Sequence, residues 1–129
     1  GGDEMGGSDL FDFKNNNQRN YEIAYSLYKI NDTKKYRPNY KNIVDFAKEK
    51  LGYKQAMTYK MLAVGQKFIY YDDGCREYKN IFDASYSISQ LIQMTRYHVD
   101  DLMLLHVQHI ITPEMKVKEI KRVLKNKIG

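Results

Sequence analysis

Four residues have side chains suited to reading the edge of a base pair: Lys54, Gln55, Tyr59 and Lys60. A glutamine amide can bond adenine bidentately, and a lysine can reach guanine or a phosphate. A tyrosine offers a ring for stacking and a hydroxyl. All four fall at the start of a helical period, where free backbone N–H groups favour phosphate. Further cations surround them. Lys34, Lys35 and Arg37 form a basic loop that ends in Pro38, Lys41 follows, and Lys67 lies near the end of the same helical run. These five are assigned to phosphate contacts. A second basic cluster sits at residues 116–127. At about 100° per residue, Lys118, Lys121, Arg122 and Lys125 form one stripe, which can neutralise phosphates without reading sequence. The competing reading is a solubilising face whose lysines complement the helix dipole.

Catalytic constellations are not legible. His106 and His109 are three apart and His98 is further away, whereas a zinc site needs three or four ligands with cysteine or carboxylate support. The single cysteine, Cys75, has no patterned partner and no neighbouring histidine. Satisfied or solvent-exposed histidines are therefore expected, and no metal. Asp72–Asp73 and Asp100–Asp101 are adjacent pairs that diverge on a helix or mark a turn, so neither is a facing dyad. A phosphate-binding G-x-x-x-x-G-K loop does not occur. The expectation is a protein with no catalytic residues and no cofactor.

The 129 residues are 43% hydrophobic, enough for one core of ordinary size. No apolar run reaches membrane-spanning length, and no signal-like block opens the chain. One cysteine excludes an intrachain disulfide and fits a reducing, cytoplasmic compartment. The net charge of +5 is unevenly spread. Residues 14–70 hold twelve Lys/Arg against four acids, and residues 115–129 hold six against one. Residues 71–114 hold three against seven, and residues 1–13 hold four acids and no base. Two basic blocks flanking an acidic middle point to a polyanionic partner, nucleic acid before membrane surface.

The elements that must position these residues read as helices. Residues 1–17 form an expected flexible lead, glycine-rich at first and carrying the apolar Leu10, Phe11 and Phe13. Tyr21, Ala24, Leu27 and Tyr28 mark a helix over about 18–30. Asn39 is a candidate cap for a helix over 40–51, with Ile43, Val44, Phe46, Ala47 and Leu51 on its apolar face. Gly52 stands where a left-handed residue ends a helix. A further run extends from Lys54 to about Tyr70, and its Phe68–Tyr71 end is β-rich in composition but continues the helical period. Asp72–Asp73–Gly74 reads as a turn. Ser87 and Gln90 have capping-box spacing, and later helices are expected at about 99–110 and 116–127. The sum is an all-α bundle of about six helices, residues 18–129 making one domain. Tyr21, Tyr28 and Tyr86 are expected in its core. Tyr36, Tyr40, Tyr53 and Tyr59 interleave with lysines and read as core or as contact residues.

The stretch Ile43–Phe68 has the parts of a helix-turn-helix. Ala47, Leu51, Thr58 and Met61 stand where the helices would cross, Gly52 at the turn, and polar residues on the outer face of the second helix. With Tyr21–Ile30, Tyr40–Phe68, Ser87–Met94 and Ile111–Val123, the chain resembles small helix-turn-helix proteins of phages and conjugative elements of low-GC Gram-positive bacteria. Its second helix also resembles the reader helix of the ParB/KorB class. The interval from Ala47 to Gly52 is one residue longer than that motif's, and Lys116 stands where a polar cap is usual. The resemblance implies a sequence-selective protein that binds double-stranded DNA, acting in transcription or partition of a mobile element, and a homodimer on paired half-sites. The alternative is an element-encoded inhibitor or adaptor that meets a protein through the acidic middle or Leu10–Phe13. A fragment of a larger replication or conjugation protein is the third reading.

Overall fold

The computed structural model describes the backbone of residues 5–129 and the side chains of residues 16–129. Residues 1–4 of the glycine-rich opening and the side chains of Leu10, Phe11 and Phe13 lie outside the described residues. In order the elements are α1 (Met5–Thr33), α2 (Ile43–Leu51), α3 (Gln55–Phe68), β1 (Ile69–Asp72), β2 (Glu77–Asn80), α4 (Ile88–Met94), α5 (Val99–Val107) and α6 (Val117–Lys127). The described chain is thus mostly helical, with six helices and one small antiparallel sheet.

α1 begins upstream of the Gln18 start expected from periodicity. Its continuation through the Asn run is held by tertiary bonds that the run itself does not announce. The Gln18 amide accepts from Tyr78 N at 2.8 Å and donates to Tyr78 O, occupying the outer edge of β2 as a neighbouring strand would. Asn17 is buried beside Ser85. Tyr21, Ala24 and Leu27 line the buried face, as their spacing predicts.

α2 starts three residues later than expected. Asn42, not Asn39, is the cap, and its Oδ1 accepts from Asp45 N at 2.9 Å. Gly52 ends the helix at φ 71°, the left-handed conformation expected there, and its N–H reaches Lys48 O at 3.0 Å.

The all-α expectation fails after Phe68. Helical period predicts continuation through Tyr70, but Ile69–Asp72 pairs with Glu77–Asn80 in register Ile69↔Asn80 to Asp72↔Glu77. The β-rich composition of this segment wins because the strand conformation lets Tyr71 meet Tyr78 edge-on at 4.9 Å and Tyr78 meet Tyr25 of α1 at 5.7 Å. Asp72 accepts from Cys75 N at 3.2 Å inside the turn and pairs with Lys79 at 3.1 Å.

A buried polar knot ties the hairpin to the rest. Asn80 Nδ2 donates to Tyr21 Oη at 2.9 Å and to Ala84 O at 2.7 Å, while its Oδ1 accepts from Phe82 N at 2.9 Å. Tyr21 in turn donates to Tyr86 O. α1 and α3 approach tightly at Gly65, where an added Cβ would stand 2.1 Å from Ala24 O. The core continues through Val64, Phe68, Leu91, Met94, Leu102, Ile120 and Leu124, all fully or almost fully enclosed.

Candidate nucleic-acid interface

α3 is oriented by its buried face. Thr58, Met61, Val64, Gly65 and Phe68 are buried, as is Ala47 of the adjoining α2. The opposite face is therefore presented to solvent. Lys54, Gln55, Tyr59 and Lys60 are all exposed, with Tyr59 at 52%. Lys54 is the N-cap residue and forms no side-chain cap bond, so the first N–H groups of α3 are not occupied by a capping oxygen. Ala56 and Met57 are also exposed between them and add a methyl and a thioether to that face.

α6 lies along α4, and its placement follows from one side chain. The Ser87–Gln90 capping box forms as its spacing predicts, with Ser87 Oγ accepting from Gln90 N at 3.2 Å and Gln90 Oε1 accepting from Ser87 N at 2.8 Å. The remaining end of the same buried amide donates to Pro113 O at 2.9 Å and Met115 O at 2.7 Å. One glutamine thus starts α4 and holds the loop that leads into α6. At the start of α6 itself, Lys116 offers no acceptor, and its N–H bonds Glu119 Oε1 at 3.4 Å instead.

These supports bring two distant parts of the sequence together. A groove of about 510 Å³ opens between α3, the end of α4 and α6. Lys60, Arg96, Lys121 and Lys125 line it, with Gln93 and Tyr97. Among the described residues no Asp or Glu side chain lines it. Such a lining can hold an anion, each ammonium as a point charge and the guanidinium through a planar fork.

The other assigned cations are distributed differently. Lys118 and Arg122 are exposed on α6 but do not line the groove. Lys34, Lys35 and Arg37 are exposed in the α1–α2 connection, and Lys41 is exposed just before α2. Lys67 is engaged within the molecule. Its ammonium donates to Thr95 O at 2.7 Å and to Tyr97 O, and partial burial lowers its pKa. Tyr36 is buried, which removes it from the contact residues, whereas Tyr40 packs edge-on against Phe46 at 5.4 Å.

The three histidines have separate surroundings. His106 Nδ1 lies 2.7 Å from Tyr86 Oη, against the rings of Phe82 and Tyr86. Tyr86 also donates to Ile111 O at 3.1 Å, so an Nδ1–H tautomer of His106 satisfies both groups. His98 caps α5 by accepting from Asp100 N at 3.3 Å, and His109 stands beyond the end of α5 at φ 59°. Among the described residues no three His, Cys, Asp or Glu side chains gather in metal-binding geometry, and no helix is long and apolar enough to cross a membrane.

A second cavity, of about 440 Å³, lies between α1 and β2 beside Asn17, Gln18, Tyr21 and Asn80. Its buried polar atoms are already bonded to one another or to backbone. Comparison of the chain with protein families, curated proteins and solved structures finds no match.

Proposed function

We propose that this chain is a non-enzymatic, sequence-selective double-stranded DNA-binding protein in which α2, the Gly52 turn and α3 act as a helix-turn-helix. The observation that carries the reading is the shared groove. Lys60 on the outer face of α3 lies with Lys121 and Lys125 of α6, two sequence-distant basic segments joined on one side of the molecule. Base-edge contacts fall to Lys54, Gln55 and Tyr59, and backbone contacts to the surrounding cations. The resemblance to small proteins of phages and conjugative elements supports a role in transcription or partition. Paired half-sites would call for a homodimer.

The test is anisotropy binding to pooled random duplexes across a salt series, with sequencing of the bound fraction. Steep salt dependence with an enriched motif is expected. Gln55→Ala and Lys54→Ala should lower discrimination between the enriched and random duplexes, while Lys121→Ala weakens both about equally. Equal losses on the two duplexes in the Gln55 variant would remove the reader assignment.

One observation favours the second reading, a protein-interaction module. Leu104 and Val107 are 54% and 60% exposed on α5, on one face with Asp100. A protein partner retained in excess DNA and lost in Leu104→Asp would favour that reading.

A further inference from the structure

The basic groove has a built mount. Arg96 stands between Thr95 and Tyr97, and the backbone carbonyls of both neighbours accept from the single ammonium of Lys67 on α3. The segment that carries Arg96 is thereby stapled to α3 from beneath. On the far side Gln90 fixes the approach to α6, and so the line on which Lys121 and Lys125 stand. Tertiary hydrogen bonds thus fix the backbone on either side of Arg96 and the loop leading to the helix of Lys121 and Lys125, which a merely solubilising surface does not require.

We propose that this groove seats the sugar–phosphate backbone of one strand of a duplex, with Arg96 gripping a phosphate and Lys67 acting as the positioning residue that sets Arg96 relative to α3. The inference rests on the DNA-binding reading and gives it a register. A strand held at Arg96 fixes how far along the groove of the duplex Lys54, Gln55 and Tyr59 can reach. The guanidinium supplies two parallel N–H donors to a phosphate, and Lys60, Lys121 and Lys125 supply charge on either side. A free phosphoanion shares this chemistry, so the test separates the two sources.

The experiment measures anisotropy of the wild type, Arg96→Ala, Arg96→Lys, Lys67→Met, Lys67→Arg and the Lys121→Ala/Lys125→Ala double variant. Each is titrated with the enriched duplex and with a random one over a salt series. Arg96→Ala should weaken the random duplex about eightfold at 0.1 M salt relative to 1 M and the enriched duplex by more, because the register is lost with the grip, and it should reduce the log–log salt slope on both by about 0.9, the value for one phosphate. The double variant should reduce the slope by about twice that. Arg96→Lys should keep the slope and recover part of the affinity. Lys67→Met leaves the groove charges in place, so it should lower selectivity more than slope, and Lys67→Arg should restore it. Thermal melting checks that each variant is folded. Selective wild-type binding with an unchanged slope in Arg96→Ala overturns the groove assignment alone. Absence of wild-type binding at low salt overturns the DNA reading and this assignment together. Arg96-dependent binding of inorganic tripolyphosphate, with duplex binding unaffected by Arg96→Ala, overturns the backbone assignment in favour of a free anion.

Discussion

Gly65→Ala is a sharp test of how α1 supports α3. In the middle of a helix this substitution ordinarily stabilises by about 1 kcal/mol, because alanine has less backbone freedom to lose. Here the sign should invert. The added Cβ would lie 2.1 Å from Ala24 O, 2.7 Å from Ala24 C and 3.1 Å from Tyr28 Cβ. Ordinary contact is about 3.5 Å, so the two helices must separate by roughly 1 Å. The obstacle is main chain inside a helix and cannot rotate away. Overpacking of this kind costs about 1–3 kcal/mol, and loosened contacts at Tyr21 and Leu27, both buried on the same α1 face, add to it. Setting the helix gain against these terms leaves a net loss of about 2 kcal/mol, or a fall in Tm of roughly 6–10 °C for a chain of this size. Urea and thermal unfolding followed by circular dichroism would measure it. Gly52→Ala is the comparison: nothing lies within 4 Å of its added Cβ, so only the left-handed φ of 71° is penalised, at about 1 kcal/mol. A Gly65→Ala protein as stable as the wild type, or more so, would refute the close crossing.

Asn80→Ala should destabilise by about 2–3 kcal/mol, because it removes one donor group and one acceptor from the knot, leaves Phe82 N enclosed without its partner and leaves Ala84 O with Tyr86 N alone; chemical denaturation would show it, and a neutral result would mean that water replaces the amide. The contribution of Tyr21 and Tyr86 to stability should be constant below about pH 10 and fall as pH rises above it. Burial raises the pKa values of Tyr21 and Tyr86, so the unfolded chain gives up those protons first and is favoured at high pH. Unfolding midpoints that stay flat above pH 10 would contradict this. In the DNA assays, the Gln55 variant should lose discrimination with its salt slope kept, whereas the Arg96 variant should lose salt slope as well.

Much of the helical architecture was legible because amphipathic period and caps are local. The Tyr21–Leu27 face, the left-handed Gly52 and the Ser87–Gln90 box depend on residues within a few positions of one another, and each stands as its spacing predicts. The hairpin was not legible for the opposite reason. Phe68–Tyr71 satisfies both a helical period and a strand composition, and the choice is made by Tyr78 across the turn and by Tyr25, far back in the sequence. The Asn42 cap was missed by three residues because Asn39 and Asn42 are equivalent as sequence signals.

The same division runs through the candidate interface. Residue type and helical phase put Gln55, Tyr59 and Lys60 on the outer face of α3 and gave α6 its basic stripe. Two further residues needed the fold. Arg96 falls in a segment that is acidic on average, and charge counted along the chain conceals a cation that only the packing of α4 and α6 sets beside Lys60. Lys67 lies in a basic block and reads as a phosphate contact, yet its ammonium is held by Thr95 O and Tyr97 O. The sequence alone determined which faces are apolar and which are charged, because those depend on side-chain type and helical period. Only the tertiary structure decided which charges share a groove and which are consumed inside the molecule, because a lysine's partner is set by whatever carbonyl or anion the fold places within its reach.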